Sequence, residues 1–328
     1  MRIVALEEHF SMREVREAEL WLAPSPQDNS RAPLMSDCET GAGLDDLSAA
    51  RIARMDAAGV DVAVLSLATP GVQNLDASDA VPLACSTNDR LADAVRRHPN
   101  RFEGFATLPT PDPEAAAREL ERAVTVLGFR GAMLHGRTRD RNLDHPDFLP
   151  ILEAAAALRV PLYIHPQIPQ PAVYEALYAG YGDELSLHFA TGGLGWHVEA
   201  GIQALRLILA GTFDRLPGLQ VILGHWGEVV LFYLERVNVL SKVARHLQRP
   251  VADYARSNLH VTPGGILSPR YLSWAIDIVG ADRILFATDD PYVAFSNGGA
   301  RRFLEQADLS LDDRTRIAHG NWDRLCAR

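Results

Sequence analysis

The chain has 328 residues, 47% of them hydrophobic, with 42 acidic against 32 basic side chains and a formal charge of −10. That apolar content suffices for a large core, and α/β barrels of about 250 residues with insertions are single domains, so the length is compatible with one. The acidic balance, with no basic stripe anywhere, excludes nucleic acid or an anionic membrane surface as the main partner. The first predicted element is a buried strand over residues 3–7, which runs directly into Glu8, His9 and Phe10. Residues two apart on a strand share a face, so Glu7 and His9 point one way and Glu8 the other. The pair is able to hold one metal ion; a charged turn after an N-terminal strand is the plainer reading.

A helix over 45–58 closes at Gly59 and leads to a second strand, 60–67. After the third strand, 102–108, a helix opens at Asp112-Pro113 and stops at Gly128. The fourth strand is 129–134, and an alanine-rich helix from Asp147 ends before the fifth, 160–165. Helices over 198–216, 228–246, 269–279 and 311–318 then alternate with strands over 219–225, 258–262 and 284–289. Eight strands separated by helices predict a (β/α)8 TIM-like barrel, one domain spanning 1–328. Two connections, 11–43 and 166–195, are too long for turns and are expected to fold over the barrel mouth as lids or subunit contacts.

In such a barrel the C-terminal strand ends carry the chemistry. The first supplies Glu7 and His9, the fourth His135, the fifth His165, the sixth His225 and the eighth Asp289-Asp290. His165 closes a buried strand before Pro166, and with Glu7 and His9 on the same rim it reads as a metal ligand rather than a core histidine. Asp289 at the tip of an apolar strand needs a cation, while Asp290 suits a helix cap. Glu228, three residues after His225, is placed to bond one imidazole nitrogen and leave the other facing the mouth, a general acid/base arrangement. Arg236 reads by default as a surface residue. His98, His145 and His246 have surface contexts, and His188, His197 and His260 read equally as substrate contacts or ordinary polar residues. Phe10, Trp196, Trp226 and Tyr292 flank the proposed site, as core residues or as a platform for a planar substrate.

Cys38, Cys85 and Cys326 are odd in number and lack CxxC spacing, so neither a disulfide framework nor a cysteine zinc site is expected, and a reducing cytoplasm fits. No leader peptide and no membrane span is predicted. The only lysine, Lys242, lies in a helical pattern away from any strand end, which removes Schiff-base mechanisms.

With these residues in place, the chain resembles the amidohydrolase-related decarboxylases, the group that takes in the γ-resorcylate, 2,3-dihydroxybenzoate and aminocarboxymuconate semialdehyde decarboxylases. The carrying segments are ALEEHF, LYIHPQ, ALRLILAGTFDRLPGLQVILGHWGE and ILFATDDPY. The resemblance implies a barrel with one divalent ion, zinc or manganese, held by Glu7, His9, His165 and Asp289. It implies His225 and Glu228 as a catalytic pair with Asp289 as proton donor, Arg236 on the substrate carboxylate, and a homodimer or homotetramer. Glu rather than His at position 7 resembles the hydroxybenzoate branch, so the implied reaction is non-oxidative decarboxylation of an ortho-hydroxy aromatic acid or a related unsaturated acid. Asp290 and His135 depart from that branch, which tends to carry an aromatic residue and asparagine there; both positions are expected near the substrate. Those departures keep open a mononuclear hydrolase of a lactone or amide.

Overall fold

The computed structural model describes residues 1–20, 22 and 38–327, so residues 21 and 23–37 of the predicted 11–43 insertion lie outside the described residues. Strand β1 (Val4–Phe10) is buried along its length and pairs in parallel with β2 (Val62–Leu67), which pairs with β3 (Phe102–Gly104). A second parallel run joins β4 (Ala106–Thr107), β5 (Ala132–His135), β6 (Leu162–His165), β7 (Val221–Leu223) and β8 (Leu259–Val261). The two runs are one surface, because β3 and β4 are halves of the predicted third strand. They divide at Phe105, whose N–H still donates to the Leu65 carbonyl, while Ala106 pairs with Ala132 on the other side.

The predicted eighth strand closes the ring through single bridges, Val261 to Ile284 and Leu6 to Ala287. It is not a continuous ladder, since the Thr288 N–H donates to the Glu8 carboxylate, 2.8 Å away, instead of to a neighbouring strand. Helices lie between successive strands, and the closed parallel sheet is a (β/α)8 barrel. Its strands are buried on both faces, which is why they read as continuous apolar runs. Val4, Leu6, Val64, Met133, Tyr163, Ile222 and Leu285 fill the interior with Phe105 and Trp322. Their neighbours along the strands, among them Ala5, Leu65, Ile164 and Val221, pack under the helices.

Several helices follow their sequence signals: Ala49–Ala58 ends at the left-handed Gly59, Asp112 caps Pro113–Thr125 by accepting from the Ala115 N–H, and Pro269–Val279 fills its predicted span. The longest helix, Ala77–Arg97, was not among those expected. Pro82 sits inside it and reads as a break in sequence, although Ala80, Ala84, Thr87, Asn88 and Leu91 are buried at helical spacing.

The expected helix over 228–246 is corrected. His225, Trp226, Gly227, Glu228 and Val229 all have positive φ (43°, 59°, 86°, 50° and 67°), a left-handed turn that cannot join a right-handed helix. Farther on, only Leu234–Val237 and a 3-10 turn, Asn238–Lys242, are helical. Asn238 and Ser241 instead accept from the Ala252 and Val251 N–H groups and so cap the next helix, Val251–Asn258. The 166–195 connection contains two short helices, Pro171–Leu177 and Asp183–His188, before the helix Gly195–Leu209 begins. No helix of the described residues is long and apolar enough to cross a membrane.

Candidate active site

Tyr163, on the floor of the barrel, links the apolar interior to the polar rim. Its hydroxyl donates to Glu7 Oε2 at 2.5 Å, and Thr262 Oγ1 lies 3.3 Å from the same oxygen. Glu7 is fully buried, with φ 61°, in a bulge where β1 gains one residue on β2 between Ala5 and Glu8. Strand alternation therefore names the right neighbours by a route the backbone does not take: the bulge turns Glu7 inward, beside His9. Gly224 makes room for it, since a Cβ there would lie 2.6 Å from Glu7 Oε1.

Glu7, His9 and His165 each offer one ligand atom, and these atoms lie within 4.8 Å of one another. Glu7 Oε1 and both ring nitrogens of His9 are buried without a hydrogen-bond partner. His165 donates from Nδ1 to the Pro166 carbonyl at 2.8 Å, which leaves Nε2 as a lone pair facing Glu7 Oε1 at 3.8 Å. Asp289 Oδ1 stands 3.3 Å from His9 Nε2. Burial pushes the Glu7 carboxyl up to about 7 against the pull of His225 and His9, and burial with the neighbouring His9 holds His165 well below the usual imidazole range. Two carboxylates and two imidazoles converge, with Glu7 Oε1 and the His9 nitrogens unmet, a donor set suited to a divalent cation.

A second cluster adjoins it. Glu228 is buried, with Oε1 2.7 Å from His225 Nδ1 and Oε2 2.8 Å from His197 Nδ1. Here the polar atoms bond one another. Burial opposes charge on His225, but Glu228 and Glu7 outweigh it and push the imidazole up to about 10; His225 in turn holds Glu228 below the usual carboxylate range despite its burial. His225 Nε2 is left 4.0 Å from Asp289 Oδ2, facing the first cluster.

The other expected residues divide. His135 lies in the cluster's wall, its ring 5.2 Å from that of His165, and burial together with His9 holds it neutral with a pKa of about 3. Tyr292 meets the His9 ring edge-on at 5.5 Å, and Trp196 lies 6.4 Å from the His165 ring. Phe10 and Trp226 are buried in the core. Asp290, expected near the substrate, faces away: it pairs with Arg51 at 3.2 Å and Arg54 at 3.1 Å, and Arg51 also donates to the His9 carbonyl at 2.6 Å. Arg236 is exposed on Leu234–Val237, and no contact among the described residues joins it to either cluster. Sequence reasoning left His197 unassigned. The signal was its adjacency to Trp196 at the start of a helix, which has no distinctive spacing to His225.

Glu8 is no bystander either. Its carboxylate accepts from the Thr288 N–H at 2.8 Å and the Thr288 hydroxyl at 2.6 Å, tying β1 to the residue before Asp289. Glu8→Ala leaves a buried N–H unmet and is expected to cost about 1–3 kcal/mol of stability, read by denaturant unfolding, with metal stoichiometry unchanged.

Residues 42–325 match the amidohydrolase family, and the chain belongs to that family. It is 35% identical to the γ-resorcylate decarboxylase of a Polaromonas species over 98% of this chain and 97% of that one. Among solved structures it is similar to 2,6-dihydroxybenzoate decarboxylase complexed with 2,6-dihydroxybenzoate, with a TM-score of 0.85, 32% identity and 99% and 98% of the two chains covered. It is also similar to 5-carboxyvanillate decarboxylase from Novosphingobium aromaticivorans complexed with manganese and 4-hydroxy-3-methoxy-5-nitrobenzoic acid, with a TM-score of 0.90, 31% identity and 99% and 95% covered.

Proposed function

We infer that the protein is a metal-dependent decarboxylase, a carboxy-lyase that releases carbon dioxide from an ortho-hydroxy aromatic acid. The observation that carries it is the convergence of Glu7, His9 and His165, with Asp289 3.3 Å from His9, beside a charged His225–Glu228 pair. The relatives named above are all decarboxylases, which favours this reaction over hydrolysis of a lactone or amide. We assign Glu7, His9, His165 and Asp289 as ligands of one divalent ion, manganese or zinc; manganese has the support of the Novosphingobium structure. When bound, that ion supplies Lewis acidity and a template for the substrate's adjacent carboxylate and phenolic oxygens.

The remaining steps belong to the chain. Asp289 gives its proton to the ring carbon that bears the carboxylate, and the ring loses its aromaticity. The bond from that carbon to the carboxylate then breaks, carbon dioxide leaves, and the electron pair restores the ring. His225, held cationic by Glu228, bonds the phenolic oxygen and steadies the charge that shifts onto it. Arg236, the substrate-carboxylate residue implied by the resemblance, is exposed and has no contact with this cluster among the described residues. We place residues 1–328 in one catalytic domain that acts in the cytoplasm as a homodimer or homotetramer. The exposed Phe232, Tyr233 and Val243, 69%, 54% and 75% accessible, support subunit contacts.

Assaying a panel of ortho-hydroxy aromatic acids for carbon dioxide, with metal content measured on the same sample, tests the reading. Stoichiometric carbon dioxide with loss of the carboxylate is expected; a new carboxylate from a lactone or amide, with no carbon dioxide from any acid, overturns it. A finer test concerns pH. Removing the carboxylate in Glu228→Gln takes away the largest cause that raises His225 and leaves Glu7 and Asp289 to oppose burial, so the His225 pKa should fall from about 10. The alkaline limb of the kcat profile should therefore move down toward neutrality, measured across pH 6 to 10 or so.

A further inference from the structure

We propose that His197 is a positioning residue of this active site: its Nδ1–H fixes the far oxygen of Glu228, so that Glu228 holds His225 with Nε2 turned toward the ligand cluster. The inference rests on the reading of His225 as a substrate-binding group. Trp196 Nε1, 3.2 Å from His197 Nε2, is a donor only, so in the neutral ring Nε2 accepts and the hydrogen sits on Nδ1. In the imidazolium Nε2 donates instead to the Gly192 carbonyl, also 3.2 Å away, and Nδ1 again carries a hydrogen. Both charge states aim an N–H at Glu228 Oε2, 2.8 Å off.

Glu228 thus has a different histidine on each oxygen, 2.7 Å to His225 and 2.8 Å to His197, and the two rings meet edge to face with centroids 4.4 Å apart. A carboxylate held at one oxygen keeps its broad terminal torsion; held at both, it does not. That second hold matters here because His225 and Glu228 both sit on a left-handed turn, with φ 43° and 50°, where no regular helix fixes their side chains. The hold comes from Gly195–Leu209 and the segment before it, elements separate in sequence from the residues they steady.

His197→Asn keeps an amide N–H near the place of Nδ1, whereas His197→Gln carries it one bond farther. The Gln variant is expected to lose about 10–100-fold in kcat, as supporting partners of reactive groups do, and the Asn variant to stay within about threefold, both with unchanged KM and metal content. In a Glu228→Ala background, where no side-chain oxygen is left at position 228, the same His197→Gln change should alter kcat less than about twofold. Proton NMR of the resting enzyme gives a readout free of any substrate: a hydrogen-bonded imidazole N–H signal assigned to His197 should vanish in Glu228→Ala, which leaves no side-chain acceptor. That signal still tests the bond if no acid in the panel is decarboxylated, and its persistence in Glu228→Ala overturns the proposal. So does an equal effect of His197→Gln in both backgrounds, or an Asn variant as impaired as Glu228→Gln. Should His197→Gln fail to fold, the Asn variant and the NMR signal decide.

Discussion

Asp289→Asn is expected to lower kcat by about 10²–10⁴-fold, the range that a positioned proton donor contributes, while the protein folds and keeps its metal. Asparagine retains an oxygen where Oδ1 stands 3.3 Å from His9 Nε2, so the ligand set is preserved in outline. What it lacks is a transferable proton on the side that faces His225 Nε2 at 4.0 Å. Binding of a product-like phenol should change little, because His225 and the metal ligands remain. The measurement is a comparison of kcat, inhibitor affinity and metal content on one preparation. A variant that turns over at the normal rate removes Asp289 from the proton-donor role.

Glu7→Ala is expected to act one step earlier, on the ion itself. Loss of a supporting partner behind a ligand costs about 10–100-fold in metal affinity, and loss of the ligand should exceed that. The buried Tyr163 hydroxyl, 2.5 Å from Glu7 Oε2, would also lose that charged acceptor and keep only Thr262 Oγ1 at 2.9 Å, so stability should fall as well. Gly224→Ala separates the two effects: its added Cβ would press on Glu7 Oε1 from 2.6 Å without deleting the carboxylate. Metal occupancy measured after limited chelation should fall in both variants and stay unchanged in Glu8→Ala. If Glu7→Ala held its ion as tightly as the natural sequence, the ligand assignment would fail.

Much of the barrel is legible because its signals are local. Apolar runs buried on both faces give strands, and Gly59 and the Asp112-Pro113 cap mark helix ends. The polar residues at strand ends follow once the fold is assumed, and the structure brings Glu7, His9, His165 and Asp289 together. What is not legible depends on three-dimensional exchange. Asp290 reads as a rim residue, yet Arg51 and Arg54 draw it off to a neighbouring helix. Glu8 reads only as pointing away from Glu7 and His9, yet it substitutes for a missing ladder partner of Thr288. His197 gains its meaning only through Glu228, thirty-one positions away. The helix expected over 228–246 fails because apolar spacing carries no information about handedness.

That handedness has a consequence for how the enzyme can be improved. An L-residue in left-handed helical geometry stores roughly 1–2 kcal/mol, and five successive residues from His225 to Val229 adopt positive φ, only one of them glycine. Val229 is β-branched and the least comfortable of these. Glu7 and Asp289, both at φ 61°, add to the same reservoir. The barrel thus underwrites a mirror-image segment at its mouth. Selection for heat resistance alone would find its easiest gains in relaxing that segment, and would drift toward a sturdier, idle scaffold; selection for turnover would have to find its stability elsewhere, in the helices and the floor.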